Sequence, residues 1–285
     1  MHYEETFIET NGIELHVVTA GPKDGQAVFL LHGFPEFWYG WRKQIPALTQ
    51  AGYRVIVPDQ RGYNLSDKPK GVNAYSLDKL SADITGLADA LGYENFHLIG
   101  HDWGAVVAWA LAIWHPDRLR KLGILNVPHP SVMVNFLRRG DPDQLRRSWY
   151  IFFFQLPWLP EYFIRKDDWR NGARMLRGSG KPGTFAEADI REYKEAWSQP
   201  GAMTAMINWY RALMRQRPKM PADPRVKVPT LMLWGMQDVA LSHRMARLSI
   251  DYCEDGRLVL FEDASHWVQH DEAENVNLYL LEFLK

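Results

Sequence analysis

Five consecutive residues could carry covalent chemistry: Gly100-His101-Asp102-Trp103-Gly104, inside "HLIGHDWGAVV". An apolar run precedes them and a helical pattern follows. Two glycines flank the central residue at minus two and plus two, the spacing of a sharp strand-to-helix turn that holds its middle side chain exposed. Such turns usually carry serine at the centre. Here the centre is an aspartate, at the start of a helix whose free N–H groups favour an anion. A lone Asp-x-Gly would be a plain acidic helix cap, but the strand before it, both glycines and the helix after it favour a nucleophile. A carboxylate that attacks carbon leaves an ester on the enzyme, so a second step must activate water.

That step needs a base and a group to orient it. In chains with this type of turn the order is nucleophile, acid, base. His266 in "FEDASHWVQH" follows the last apolar run and precedes the last helical pattern, which favours it over His270, read as a surface or capping neighbour. Asp238 in "LMLWGMQDVAL" is the acid that would fix the imidazole tautomer and stabilise the imidazolium. The other place for an acid, after "KLGILNV", offers Asn126 and no carboxylate. The loop "HGFPEFWYGW" supplies an oxyanion donor: the expected pair is the backbone N–H groups of Phe34 and Trp103. His32 reads as a structural residue of that loop rather than a base.

Elements must bring these residues together. "ETFIETNGIELHVVTAG" alternates on both sides of Asn11-Gly12 and predicts a hairpin. Buried strands are expected at 27–32, 53–59, 96–101, 121–127, 230–235 and 257–263, each a short run apolar on both faces. Helical patterns stand between them: one begins near Ser76 and ends at Gly92, one starts at Asp102, and "DEAENVNLYLLEFLK" closes the chain. This alternation predicts an α/β fold with a mostly parallel, doubly wound sheet. From 130 to 218 no buried strand is evident, only short helical patterns rich in arginine and aromatics. That segment reads as a helical cap inserted between the sixth and seventh strands, dividing the core into 1–129 and 219–285.

Bulk properties narrow the class. The chain has 285 residues, 46% hydrophobic and 24% charged, which suits a globular protein with one large core. A net charge of −1 gives no reason to expect nucleic acid or a membrane as partner. The N-terminus is acidic and polar, without a signal-peptide pattern, and no apolar run approaches the ~18 residues of a membrane span. The single cysteine, Cys253, excludes an intrachain disulfide and fits a reducing compartment. A cytoplasmic protein is expected, monomeric or homodimeric.

The segments "HGFPEFWYGW", "PDQRGYNLSDKP", "GHDWGA", "WGMQD" and "ASHW" together resemble the soluble-type epoxide hydrolases of the α/β-hydrolase fold, over residues 32–267. The resemblance implies an apolar epoxide and water as substrates, a vicinal diol as product, and no cofactor or metal. It also implies two cap tyrosines that donate to the epoxide oxygen: Tyr150 in "SWYIFFFQLP" and Tyr210 in "INWYRAL". Phenols, with a pKa of about 10, donate at neutral pH without ionising. Without the resemblance either tyrosine would read as an ordinary packing residue. Phe34, Pro35, Trp103, Phe153, Trp209 and Trp267 are the expected pocket walls.

Other readings remain open at this point. A haloalkane or haloacid dehalogenase would use the same aspartate. However, the Phe34 side chain cannot bind halide as a polar one would, no arginine follows the nucleophile until Arg118, and paired tyrosines have no task there. A catalytically silent receptor on the same fold would not need the full Asp-His-Asp set. An esterase would need serine at 102.

Overall fold

The computed structural model describes residues 3–216 and 218–285. Met1 and His2, at the start of the polar N-terminus, and Arg217, near the end of the segment 130–218, lie outside the described residues. The chain opens with the antiparallel hairpin β1 (Glu4–Thr10) and β2 (Ile13–Ala20). Its turn residues Asn11 and Gly12 take φ of 48° and 73°, the left-handed pair that a two-residue hairpin needs.

Six further strands follow: β3 (Ala27–Leu31), β4 (Arg54–Pro58), β5 (Phe96–His101), β6 (Leu119–Leu125), β7 (Thr230–Gly235) and β8 (Gly256–Phe261). The eight form one sheet in the order β1-β2-β4-β3-β5-β6-β7-β8, parallel from β4 to β8. Helices cover both faces. α1 (Ile45–Gln50) follows β3, α2 (Leu77–Ala90) follows β4 and α3 (Trp103–Trp114) follows β5. Alternate side chains of each strand serve opposite layers. In β3, Phe29 and Leu31 join one core with Ile84 and Val107, while Val28 and Leu30 join the other with Ile45 and Leu280.

Between β6 and β7 the described residues form helices and connecting loops, with one isolated β-bridge from Val226 to Cys253. These are α4 (Pro130–Arg138), α5 (Pro142–Arg147), α6 (Trp149–Phe153), α7 (Leu159–Ser179), α8 (Glu187–Ser198) and α9 (Ala202–Arg215). α7 bends at Lys166–Trp169, where Asp167, Asp168 and Trp169 have positive φ. A buried ion pair ties α7 to α9: Arg211 Nη1 lies 2.7 Å from Glu161 Oε1 and Nη2 3.1 Å from Oε2. The same guanidinium donates to the carbonyls of Phe154 and Leu156. The helical layer is pinned to the sheet by Trp209 Nε1 on the Arg61 carbonyl at 3.0 Å and Trp197 Nε1 on the Pro35 carbonyl at 2.6 Å. The chain ends through α10 (Arg244–Ile250), α11 (Val268–Asp271) and α12 (Ala273–Leu284).

The expected strands and helices are present, with differences that have physical causes. β6 starts at Leu119 rather than 121, directly after a single helical turn at Pro116–Arg118. β8 is not a buried strand: it is half-exposed because it pairs with β7 alone at the sheet edge. Asp102 is not the first helical residue but the cap, and α3 begins at Trp103. The short helices α1, α10 and α11 span at most two turns, too few for a clear 3.6-residue period. Ser76 occupies the cap of α2 without a side-chain bond to it.

The elbow depends on close contact between α3 and β3. A Cβ on Gly104 would lie 2.1 Å from the Leu31 carbonyl oxygen, and one on Gly100 would lie 2.4 Å from the Gly104 carbonyl oxygen. Gly104→Ala is therefore expected to destabilise the protein by about 1–3 kcal/mol, the usual cost of overpacking. Urea denaturation checks this, and an unchanged midpoint would contradict the packing account.

Candidate active site

β5 runs straight into the elbow. Asp102 has φ 50° and ψ −123°, a conformation that L-residues rarely adopt and that persists only where the surroundings over-determine it. Here the loop after β3 closes over the same residue. A Cβ on Gly33 would lie 2.2 Å from Asp102 Cβ, so only glycine lets that loop approach. The next amide, Phe34 N–H, donates to Asp102 Oδ1 at 2.6 Å. The Trp103 amide opens α3 beside the same carboxylate.

His266 follows β8, and its Nε2 lies 3.4 Å from Asp102 Oδ2. Its Nδ1 lies 2.7 Å from Asp238 Oδ2. Asp238 is itself fully engaged: Oδ1 accepts from the amides of Ala240 (2.7 Å) and Leu241 (2.9 Å), and Oδ2 also accepts from Asn126 Nδ2 at 2.8 Å. Asn126, which stands where the other acid position would be, thus bonds Asp238 itself. Asn126 also accepts from the Gly235 amide, which locks the ends of β6 and β7 together.

The three groups set one another's charge. Burial by itself would push the His266 imidazole down, but Asp238 and then Asp102 outweigh it and raise the pKa to about 10. Burial would likewise raise the Asp102 carboxyl, but contact with His266, aided by the Phe34 amide, holds it below the ordinary carboxylate value. The two shifts favour an imidazolium beside an ionised Asp102.

Asp102 and His266 line a cavity of about 330 Å³ together with Phe34, Pro35, Trp267 and the two tyrosines. Tyr150 comes from α6 and Tyr210 from α9, with ring centroids 5.9 Å apart. Burial, then the Asp102 charge, pushes both phenols well above their ordinary pKa, so both stay protonated.

Three expected wall residues do not line this cavity. Trp209 is directed to the core by its bond to Arg61 and packs on Tyr63. Trp103 supports the Tyr210 ring from behind at 4.9 Å. Phe153 lies between Trp149 and Phe163 on another side of α6. Helical aromatics face several ways, and sequence spacing did not separate these faces.

A buried network was not expected at all. Glu36, two residues beyond Phe34, accepts from Tyr193 of α8 at 2.5 Å, from His270 Nε2 at 2.7 Å and from Gln269 Nε2 at 3.0 Å. Gln269 also reaches His101 Nδ1 at 3.0 Å, and His101 Nε2 lies 2.9 Å from the His266 carbonyl oxygen. His270 is thus not a surface residue: it is fully buried on Glu36, and burial lowers its pKa. Burial would raise Glu36, but the His270 and His101 contacts hold it well below the usual carboxylate range. His32 accepts from the Gln60 amide at 3.0 Å and serves the loop structure, as expected. Among the described residues no cluster of His, Cys, Asp or Glu is gathered to hold a metal ion.

Asp238→Asn removes the attraction that most raises His266. The imidazole pKa is expected to fall by at least about one unit, the equivalent of about 1.4 kcal/mol. Its NMR titration reads this directly, and an unmoved titration would mean that Asp238 does not govern the imidazole.

Comparison with known proteins places this arrangement. A family model described as alpha/beta hydrolase fold matches residues 26–273. The AB hydrolase superfamily protein YfhM of Bacillus subtilis is 48% identical over 280 residues, covering 98% of this chain and 97% of that protein. Human epoxide hydrolase 4 is 39% identical over 284 residues, covering 98% of this chain and 77% of that protein. The crystal structure of Bacillus megaterium epoxide hydrolase in complex with an inhibitor superposes with a TM-score of 0.89 at 31% identity, covering 98% and 99% of the two chains. Shared fold, near-complete coverage and these identities lead to one conclusion: the chain belongs to the α/β-hydrolase fold family, among its epoxide hydrolases.

Proposed function

We propose that this chain converts an apolar epoxide and water to a vicinal diol through a covalent ester on Asp102. One observation carries the reading: a carboxylate held at 2.6 Å by the Phe34 amide and 3.4 Å from His266 faces two protonated tyrosines across a single cavity. Residues 130–218 act as the cap that supplies those tyrosines, between core parts 1–129 and 219–285.

In the first step an Asp102 oxygen attacks one epoxide carbon, the C–O bond breaks, and Tyr150 and Tyr210 donate hydrogen bonds to the departing oxygen. An alkoxide would otherwise form unassisted in a buried site, which is costly. One of the two phenols passes its proton to that oxygen, giving a hydroxyl and an alkyl ester of Asp102, and the His266 imidazolium then gives up its proton to restore the phenol. Ester formation neutralises Asp102. One of the two charges that raise His266 disappears, so the imidazole pKa falls and the ring can act as a base. In the second step His266, oriented by Asp238, takes a proton from water as the water attacks the Asp102 carbonyl carbon. The Phe34 and Trp103 amides hold the oxyanion, the ester C–O bond breaks, and the diol leaves with Asp102 restored.

Dehalogenation is not favoured. The relatives carry epoxide-hydrolase names, and the Phe34 side chain has nothing to offer a halide. A cytoplasmic setting belongs to this reading and rests on the single cysteine.

Styrene oxide as substrate tests the scheme. Asp102→Asn is expected to abolish diol formation. His266→Gln is expected to trap the ester, seen as a mass increase equal to one substrate. Tyr150→Phe and Tyr210→Phe each lose a hydrogen bond to developing charge, about 1.5–3 kcal/mol, and should slow the first step by about 10- to 100-fold. Full diol formation by folded Asp102→Asn would remove this mechanism.

A further inference from the structure

The helical layer carries a surface that the proposed chemistry does not use. Within α6, the turn after it and the start of α7, six large apolar side chains stand in water. Trp158 is 69% exposed, Trp149 60%, Tyr162 58% and Phe152 54%, with Leu156 and Phe163 close behind. They fall in two groups that meet at the adjacent residues Tyr162 and Phe163 of α7. Trp149 packs on Phe153 at 6.0 Å and Phe153 on Phe163 at 5.9 Å, while Trp158 and Tyr162 line one surface groove. Scattered exposed hydrophobics need no explanation, but a connected ridge marks an interaction surface.

Charge identifies the partner. Residues 130–218 hold 15 Lys and Arg against 9 Asp and Glu, a net +6, although the whole chain is −1. The near-neutral total had argued against a membrane surface because it averages two unlike parts. Basic side chains stand next to the ridge. Arg165 lines the groove with Trp158 and Tyr162. The exposed Lys166 and Arg174 have no carboxylate partner among the described residues. Amphipathic Trp and Tyr rimmed by Lys and Arg suit the interfacial zone of an anionic bilayer. A second copy fits poorly, since a two-fold contact would set one basic face against another. The ridge also adjoins the entrance to the catalytic cavity, because Trp149 and Met175 line that cavity while exposed to solvent.

We propose that this ridge docks peripherally on an anionic phospholipid surface, with the cavity mouth turned to the membrane. No helix among the described residues is long and apolar enough to cross a membrane, so the contact is to one leaflet. Insofar as the epoxide reading holds, an apolar epoxide dissolved in lipid would enter the site from the surface it is dissolved in.

The test is co-sedimentation of the full chain with vesicles of phosphatidylcholine plus phosphatidylglycerol, and with phosphatidylcholine alone. Binding to the mixed vesicles, weak binding to the neutral ones and release by high salt are expected. The triple variant Phe152→Ser, Trp158→Ser, Tyr162→Ser should lose binding. The pair Arg165→Glu, Lys166→Glu should weaken it by about tenfold or more. None of these side chains lines the catalytic cavity, and a circular-dichroism melt checks folding; if the triple variant does not fold, the charge pair decides alone. Equal sedimentation with and without anionic lipid, or binding untouched by folded variants, overturns the proposal. So does a dimer that the ridge variants convert to monomer without any vesicle binding. Sedimentation is read without turnover, so this proposal and the epoxide reading fail independently.

Discussion

The site depends on the placement of one carboxylate. Asp102 stands on a left-handed backbone at the end of a central strand, with its side chain between an amide donor and a buried imidazole. That position is crowded on every side. Gly33, Gly100 and Gly104 are glycines because a methyl group at any of them would meet backbone atoms or the aspartate itself. The strained turn is held by the packing of β3, β5 and α3 around it, and the resulting carboxylate is ionised although buried. Its negative charge raises His266, and His266 in turn keeps Asp102 ionised. The carboxylate and the imidazole are stored as an ion pair.

The helical layer supplies what the sheet cannot. Tyr150 and Tyr210 arrive from two separate helices, and Arg211 of α9 joins them by donating to the Phe154 and Leu156 carbonyls just after α6. The layer is also joined to the core by buried polar contacts, of which Glu36 is the centre. Its carboxylate receives Tyr193 from α8 and His270 and Gln269 from beside the base, and Gln269 continues to His101 and so to the His266 backbone. Each of these bonds is buried, although Gln269 Oε1 itself has no partner. This network links the position of the cap to the position of the imidazole.

Much of this was legible in the residues. Hairpin, parallel strands and helical insertion follow from turn residues and from the change between continuous apolar runs and helical spacing. Asp102, Asp238 and His266 were singled out by their places after strands, and the structure brings them within hydrogen-bonding or ion-pairing reach. Other features were not legible. Trp103, Phe153 and Trp209 were grouped as pocket walls because they are aromatic, yet one backs a tyrosine, one packs on the far side of α6 and one anchors the cap to the sheet. His270 looked like a surface residue and is buried on Glu36. Direction around a short helix, and pairing between residues more than two hundred positions apart, have no local signature.

The sequence by itself determined the fold class and the place of an aspartate at the elbow, because strand runs, glycine spacing and the aspartate are local properties of the chain. Only the tertiary structure decided which aromatics face the cavity, that Asn126 bonds Asp238, and that Glu36 links α8 to the segment after His266. It also gathered exposed aromatics and unpaired basic residues into one face that a chain-wide charge of −1 conceals. Those outcomes depend on which side chains three-dimensional packing leaves side by side, and a one-dimensional pattern does not carry that information.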